Sequence, residues 1–274
     1  MPGVAWHFTA DPVEYADHAW DLLAAKPAEH TVSLTIIDSA REGFRWSDEP
    51  MLFGWYDDGA VRGAIAWTPP FELLLAEVPD DAIDPLVAGL RERGAALNGV
   101  NGTEPAVERF VAAWAPAQSS VKFRMRLYRL GTLRYPTVPG TGRPARMDEL
   151  ALGTRWLSAF QVDAGVHATE TEPLARDRIA DGRLWLWEHD GEVVSLAAST
   201  DPAAGVARIA PVYTPPEHRR RGYGAAVTAA CTADALARGA DQMVLFTDLA
   251  NPTSNSIYRQ IGYEPLGDYR VVRF

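Results

Sequence analysis

Apolar and polar residues recur with two periods along the chain, and together these periods predict a mixed α/β protein. A period near 3.6 predicts helices at 11–25, 81–93, 104–114, 147–164, 173–180, 225–238 and 253–261. Alternation and short apolar runs predict strands at 31–37, 51–56, 61–67, 71–78, 95–100, 121–130, 184–188, 193–199, 206–213, 242–247 and 266–274. We expect an α/β fold with central mixed, mostly antiparallel sheets flanked by helices.

Two hairpins 132 positions apart indicate an internal repeat. The paired residues are Trp55 and Trp187, Asp58-Gly59 and Asp190-Gly191, Val61 and Val193, and Ala66 and Ala198. Each hairpin is followed by a predicted strand, helix, strand, helix and strand. We interpret this order as a duplicated fold, although Asp-Gly hairpins beside a tryptophan can also arise independently.

The stretch 133–144 is rich in proline and glycine and is the best candidate linker. It predicts one domain at 1–132 and a second at 145–274. A chain of 274 residues is long enough for two domains of ordinary size.

Composition narrows the possible functions. The net charge of −10 argues against a nucleic-acid partner, which usually calls for a basic surface. The single cysteine, Cys231, allows no intrachain disulfide and more plausibly packs than reacts. We find no zinc-ligand spacing, no secretion signal and no apolar run of membrane-spanning length. We therefore expect a soluble cytoplasmic protein without a metal or a membrane partner, and either a monomer or a homodimer.

Residues 211–225, Pro-Val-Tyr-Thr-Pro-Pro-Glu-His-Arg-Arg-Arg-Gly-Tyr-Gly-Ala, join a predicted strand to a predicted helix. A helix start offers unpaired backbone N–H groups and the positive end of the helix dipole, and glycines let a ligand approach the backbone. The turn is therefore suited to a phosphate or pyrophosphate. It lacks the Gly-Lys-Ser/Thr of a Walker loop, and Val227 stands where a dinucleotide fingerprint needs Gly or Ala.

Within this turn, residues 219–224 fit the pattern Arg/Gln-x-x-Gly-x-Gly/Ala and resemble the acyl-CoA loop of the GNAT superfamily of N-acyltransferases. Residues 251–263 fit Asn-x-x-x-Asn-x-x-Tyr-x-x-x-Gly-Tyr and resemble the last helix of these enzymes. The alternatives are a basic turn that caps a helix, a helix cap at Asn251, and a core aromatic at Tyr258.

The resemblance implies a tandem GNAT arrangement with a degenerate N-terminal copy. That copy has no Arg-x-x-Gly-x-Gly run, and its corresponding helix begins near Asp81 among acidic residues that would repel a pyrophosphate. We expect it not to bind acyl-CoA. The C-terminal copy is expected to be an acetyltransferase domain.

The resemblance also implies direct transfer of an acetyl group from acetyl-CoA to a primary amine of a small molecule or peptide. The N–H of Val212 would polarise the acetyl carbonyl, and Tyr258 would act as the general acid for the thiolate. The predicted cofactor-binding residues are Val212, Tyr213 and Thr214 along the pantetheine, Arg219, Arg220, Arg221, Gly222, Tyr223, Gly224 and Ala225 at the pyrophosphate, and Asn251, Asn255 and Tyr258 on the last helix.

The general base is not defined by any motif. The candidates are Glu170, Glu172, His167, Glu188 and His189, and each is also an ordinary surface residue. The alternative function is a non-catalytic module that binds or senses acyl-CoA. O-acyl transfer and longer acyl groups also stay open.

Overall fold

The computed structural model describes residues 5–166 and 169–274, which form two compact units. The first unit contains residues up to Leu127 together with 248–250 and 266–274, and the second contains 128–247 and 251–265. The last nine residues therefore belong to the first unit, whereas the sequence assigned everything from 145 onward to the second domain. The proposal of two copies at 1–132 and 145–274 stays a prediction about the ancestry of the chain.

The first half of the chain supplies six strands and four helices. These are β1 (Ala5–Thr9), α1 (Pro12–Ala24), α2 (Thr31–Arg41), β2 (Leu52–Asp57), β3 (Val61–Trp67), β4 (Leu73–Glu77), α3 (Ile83–Glu92), β5 (Gly99–Thr103), α4 (Glu104–Trp114) and β6 (Ser120–Leu130). The second half supplies six more strands and four more helices. These are β7 (Thr141–Pro144), α5 (Leu150–Ala164), α6 (Thr171–Ala180), β8 (Leu184–His189), β9 (Glu192–Ser199), β10 (Val206–Tyr213), α7 (Tyr223–Ala237), β11 (Gln242–Asp248), α8 (Pro252–Gln260) and β12 (Tyr263–Arg273).

In the first unit the strands follow the order β1-β2-β3-β4-β5-β12. All neighbours are antiparallel except β4 and β5, which are parallel. Residues 269–273 of β12 pair with 99–103 of β5, which explains why the end of the chain lies in this unit. Its core packs α3 and α4 against the sheet through Leu86, Leu90, Val107 and Phe110.

In the second unit the order is β11-β10-β9-β8-β7, and only β10 and β11 are parallel. One core cluster lies under α7 and includes Val227, Cys231 and Leu245. The other lies under α5 and α6 and includes Trp156, Ile179 and Leu196. Helices therefore cover both faces of this sheet, and Cys231 packs in the core as expected.

Both halves of the chain follow the order hairpin, strand, helix, strand, helix, strand, and the mixed α/β fold expected from the sequence is confirmed. The predicted strand at 31–37 is wrong, because these residues form α2 and bury Thr31, Leu34 and Ile37 at helical spacing. The predicted linker at 133–144 contains β7, whose residues 141–144 pair with β8. The strand expected at 95–100 lies at 99–103, and β1 had no predicted counterpart.

Candidate active site

The candidate site lies at the end of β10, where the pairing of this strand with the parallel strand β11 stops. Among the described residues, β10 pairs with β11 from Val206–Gln242 to Ile209–Leu245 and no further. Against β9, the register of β10 shifts between Ile209 and Val212. Pro211 lies within this shift, and its missing N–H accounts for the irregularity that the sequence predicted there. The last residues of β10 therefore have an open edge on the β11 side.

Residues 213 and 214 are held on the opposite edge by contacts with β9 and α5. The ring of Tyr213 packs 6.0 Å from that of Trp156. The hydroxyl of Thr214 lies 2.8 Å from that of Ser195, which also donates to the carbonyl of Tyr213 at 3.1 Å. The backbone at the predicted pantetheine position is thus fixed before any ligand arrives.

The predicted pyrophosphate loop reverses the chain just before α7. A 3₁₀ turn at Pro216–His218 leads to Arg220 with φ 63° and Gly222 with φ 84°, both left-handed. Gly222 is the N-cap, and its carbonyl accepts the N–H of Ala226 at 3.1 Å. The N–H groups of residues 223–225 lie in the first turn of the helix, where a helix offers no internal acceptor. This arrangement suits an anion.

The three arginines of the loop have different environments. The guanidinium of Arg219 donates to the carbonyl of Thr214 at 2.8 Å and pairs with Asp163 of α5 at 2.5 Å. Arg220 and Arg221 are exposed, and within residues 5–166 and 169–274 neither has an ion-pair partner. Arg219 therefore fixes the loop, whereas the guanidinium groups of Arg220 and Arg221 are available to bind phosphate.

The two asparagines of α8 have structural roles. Asn251 is the N-cap, and its Oδ1 accepts the N–H of Ser254 at 3.0 Å. The buried Asn255 donates from Nδ2 to the carbonyl of Asn251 at 2.7 Å and accepts the hydroxyl of Tyr128 at 2.9 Å. Both amide atoms of Asn255 are therefore engaged inside the protein, whereas only the Oδ1 of the exposed Asn251 has such a partner, and the contacts of both residues with pantetheine stay a prediction.

Tyr258 is half-buried between two other tyrosines. Its ring lies 6.4 Å from that of Tyr128 and 6.3 Å from that of Tyr263. The hydroxyl of Tyr128 donates to Asn255, and that of Tyr263 lies 2.7 Å from the hydroxyl of Thr232. The hydroxyl of Tyr258 has no hydrogen-bond partner in the described part of the chain. Burial raises the pKa of Tyr258 to about 12, so it holds its proton at neutral pH.

Most candidate bases are engaged elsewhere. Glu188 pairs with Arg143 at 2.9 Å, His189 bonds the hydroxyl of Tyr223 at 2.8 Å, and Glu172 pairs with Arg176 at 2.8 Å. Glu170 is exposed and lines an open pocket of about 520 Å³ with Thr154, Thr171, Glu172, Pro173 and Arg176. His167 lies outside the described residues.

Arg178 was missed by the sequence analysis. Its Nη1 donates to the carbonyl of Ala210, inside the register shift of β10. The sequence signal that could have revealed Arg178 is a charged residue on the buried face of a helix. Arg178 lies three positions after Ala175 and next to Ile179, and all three residues are buried in α6.

Membrane-spanning helices and metal-binding clusters are both absent from residues 5–166 and 169–274. No helix there is both long enough and apolar enough to cross a membrane. No group of three or more His, Cys, Asp or Glu side chains there is arranged to hold a metal ion.

Comparison with known proteins adds an independent line of evidence. Residues 153–263 match the model of the acetyltransferase (GNAT) family. No curated protein matches the chain. Among solved structures, a GCN5-related N-acetyltransferase from Kribbella flavida is 23% identical with a TM-score of 0.58, over 90% of this chain and 95% of that one.

Two further structures resemble nearly the whole chain. A tandem GNAT protein from the clavulanic acid biosynthesis pathway is 14% identical with a TM-score of 0.59 and covers 97% of both chains. A Drosophila protein is 13% identical with a TM-score of 0.66 and covers 99% of both. These likenesses concern the fold. The glycine loop of 219–224 at the start of α7 lies within the match at 153–263, and this part of the chain is a domain of the GNAT family.

Proposed function

We propose that the chain is an acetyl-CoA-dependent N-acetyltransferase that acts on a primary amine of a small molecule or peptide. The observation that carries this proposal is the helix start at residues 222–225, which presents uncommitted N–H groups beside the unpaired Arg220 and Arg221. A diphosphate-bearing ligand suits such a site because the helix dipole and both cations favour negative charge. The adjoining open edge of β10 suits an extended pantetheine arm.

In this proposal the cofactor contacts divide among the predicted residues. The backbone of Val212, Tyr213 and Thr214 runs along the pantetheine, and the N–H groups of 222–225 hold the pyrophosphate. Arg220 and Arg221 bind phosphate oxygens, whereas Arg219 holds the loop through Asp163 and the carbonyl of Thr214. We assign no cofactor contact to the side chains of Asn251 and Asn255.

In the proposed reaction the acetyl group passes directly from the thioester to the amine. The neutral amine nitrogen attacks the carbonyl carbon of the thioester, and the N–H of Val212 donates to the oxygen that gains charge. The C–S bond breaks, the amine proton passes to water or a base, and the thiolate is released toward Tyr258. A free thiol has a pKa near ~8.5, so a tyrosine whose pKa is about 12 is the weaker acid. Tyr258 therefore acts chiefly as a hydrogen-bond donor to the departing sulfur, which takes its final proton from solvent.

We also propose that the N-terminal copy binds no acyl-CoA. Its helix α3 follows a 3₁₀ turn that contains Asp80 and Asp81, and Asp84 lies in the first turn of the helix. Asp80 pairs with Arg109 and Asp81 with Arg62, so these arginines are not available to a phosphate, and Asp84 adds negative charge at the helix start. One acetyl-CoA per chain is the expected stoichiometry.

The experiment is calorimetric titration with acetyl-CoA and CoA, followed by thiol release over a panel of primary amines. Binding of one acetyl-CoA with amine-dependent thiol release supports the enzyme. Binding without release from any amine supports the alternative, a non-catalytic module that binds or senses acyl-CoA. That alternative is favoured by the engagement of Glu188, His189 and Glu172 in other contacts. An absence of binding contradicts both.

A further inference from the structure

Arg178 is a buried cation that forms no ion pair within residues 5–166 and 169–274. Its side chain is on α6, and the residue is only 9% exposed. Nη1 donates to the carbonyl of Ala210, while Nε is buried without a hydrogen-bond partner. Among the described residues, no carboxylate forms an ion pair with it.

A second buried arginine nearby shows that the chain does supply carboxylates where an ion pair is purely structural. The side chain of Arg183 is 5% exposed and its Nη2 lies 2.7 Å from Asp177, 2.8 Å from Asp181 and 3.1 Å from Asp201. A buried guanidinium is costly unless it is paired, and three carboxylates offset that cost at Arg183. In the described part of the chain, Arg178 has no such ion pair, although the charge of Asp177 favours it from beyond ion-pair distance.

The protein environment opposes the charge of Arg178. Burial, then the like charges of Arg183 and Arg208, lower the pKa of Arg178 to about 10, and Asp177 partly offsets this effect. The guanidinium still carries its charge at neutral pH. An anionic group that reached Arg178 would meet a guanidinium with no carboxylate partner among the described residues and an Nε that makes no hydrogen bond there.

The position of Arg178 connects it with the proposed reaction. The carbonyl that Arg178 contacts belongs to Ala210, between Ile209 and Val212, where the register of β10 shifts. The N–H of Val212 is the proposed donor to the acetyl carbonyl. An anion held by Arg178 would therefore lie close to the reacting acyl group.

We propose that Arg178 binds a carboxylate carried by one of the two substrates. The carboxylate belongs either to an amino-acid-like acceptor or to the far end of a dicarboxylic acyl chain on CoA. A guanidinium presents paired N–H donors to a carboxylate and suits it better than an ammonium group does. This inference rests on the proposed acyl transfer and names the substrate chemistry that the site selects.

The test uses two matched substrate pairs that differ in the carboxylate. L-Alanine and L-alaninamide are compared as acceptors with acetyl-CoA, and succinyl-CoA and butyryl-CoA are compared as donors. In the wild type we expect kcat/KM to favour the carboxylate member of one pair by about tenfold or more, a typical value for a charged hydrogen bond. Arg178→Gln should lower kcat/KM for the carboxylate member more than for the neutral member, so that the ratio within that pair falls to about one.

Arg178→Lys keeps the charge without the paired donors and should retain part of the preference, which covers the case in which Arg178→Gln fails to fold. Arg155→Gln, an exposed arginine of α5, is the matched control and should behave as wild type. A wild type with no preference in either pair overturns the inference. So does an Arg178→Gln variant that loses activity equally on both members, since Arg178 then only holds the β10 irregularity.

Thermal shifts separate this inference from the proposed function. The wild type should be stabilised more by succinyl-CoA than by butyryl-CoA, or more by N-acetyl-L-alanine than by N-acetyl-L-alaninamide, and Arg178→Gln should remove the difference. A carboxylate-dependent thermal shift that Arg178→Gln removes, without turnover of any acceptor or donor, supports the carboxylate site and contradicts the transferase. Turnover of neutral amines without any carboxylate preference supports the transferase and contradicts the carboxylate site.

Discussion

Nδ1 of His189 lies 2.8 Å from the hydroxyl of Tyr223, so the tip of the β8–β9 hairpin is joined to the first residue of α7. A second contact runs from Glu192 of the same hairpin to His218, with Oε1 and Nε2 3.4 Å apart. Tyr223 is the residue between the two glycines of the loop, and its side chain is buried. The hairpin therefore supports the proposed pyrophosphate loop through His189 and Glu192, whose side chains need not contact the ligand.

Tyr223→Phe should destabilise the protein by about 1 kcal/mol, because it removes one partner of a hydrogen bond and keeps the ring. Acetyl-CoA affinity should fall a few-fold as the helix start loosens. Chemical denaturation of Tyr223→Phe, His189→Ala and the double variant measures the coupling, which should lie near ~1 kcal/mol. Strict additivity of the two single changes would show that the contact contributes nothing.

Tyr258→Phe should lower turnover by about 10- to 100-fold with acetyl-CoA affinity nearly unchanged, since the hydroxyl donates a hydrogen bond to the leaving sulfur as it gains charge. The side chain that remains still fills the space between Tyr128 and Tyr263. Steady-state thiol release and calorimetric binding measure the two effects separately.

Tyr263→Phe is the matched control for that variant. Its hydroxyl is already engaged with Thr232, so the change should cost stability and leave turnover close to wild type. Equal turnover by Tyr258→Phe and wild type would remove Tyr258 from the mechanism.

The double variant Arg220→Glu and Arg221→Glu should weaken acetyl-CoA binding by more than about tenfold without lowering the melting temperature. Both side chains are exposed and have no ion-pair partner in the described residues, so the native fold loses no contact. The loss should shrink as salt is raised, because exposed charges are screened. Arg155→Glu controls for the change in net charge, and an equal effect of that variant would contradict a local phosphate site.

Gly222→Asp is a less informative variant for the same question. A Cβ at Gly222 would lie 2.8 Å from Cγ2 of Val138, and φ 84° disfavours any residue with a side chain. Its effect on binding would therefore mix charge with strain in the free protein. The arginine variants avoid both problems.

The sequence correctly predicted the structural elements that depend on residues close to one another in the chain. The strand at 206–213, the turn at Gly222 and the helix after it form one continuous segment, and the missing N–H of Pro211 marks the irregularity. Helix α2 was missed because its β-branched residues suggested a strand, whereas burial of Leu34 and Ile37 follows a helical period.

What the sequence did not reveal depends on residues far apart in the chain. Tyr128 meets Asn255 across 127 positions, and Arg178 meets Ala210 across 32. No local pattern specifies such pairs. The role of Asn255 was consequently assigned from a motif that resembles ligand-binding helices, although its amide is used inside the protein. The end of the chain was likewise placed in the second domain because its pairing with β5 leaves no local signal.

Asn255→Ala should cost about 1–3 kcal/mol of stability, because it removes a buried acceptor from the hydroxyl of Tyr128 and a donor from the carbonyl of Asn251. Acetyl-CoA affinity, corrected for the unfolded fraction, should change little. Denaturant titration and calorimetry provide the two numbers. A large loss of affinity in a stable variant would restore the pantetheine contact that the sequence motif suggested.

The carboxylate of Glu77, at the end of β4, makes stability depend on pH. Its Oε2 lies 3.0 Å from Nε2 of the buried His30 and 3.1 Å from Nζ of Lys26. The hydrogen bond from His30, with the contribution of Lys26, lowers the pKa of Glu77 to about 2. A folded-state pKa below the unfolded value means that this contribution is fully present above about pH 4.5 and is lost as the pH falls toward 2.

Glu77→Gln should therefore lower stability by about 1 kcal/mol at pH 7, a modest value because the carboxylate is partly exposed. The difference from wild type should shrink steadily below pH 4.5, since the unfolded wild-type chain then takes up a proton at Glu77 that the folded protein does not bind until the pH nears 2. Glu49→Gln, at an exposed position, controls for the loss of one surface charge. Denaturant titrations between pH 7 and 3 give the difference at each pH. If the difference in stability between wild type and Glu77→Gln stayed constant over this range, the side chain of Glu77 would stabilise the fold by its shape and not by its charge.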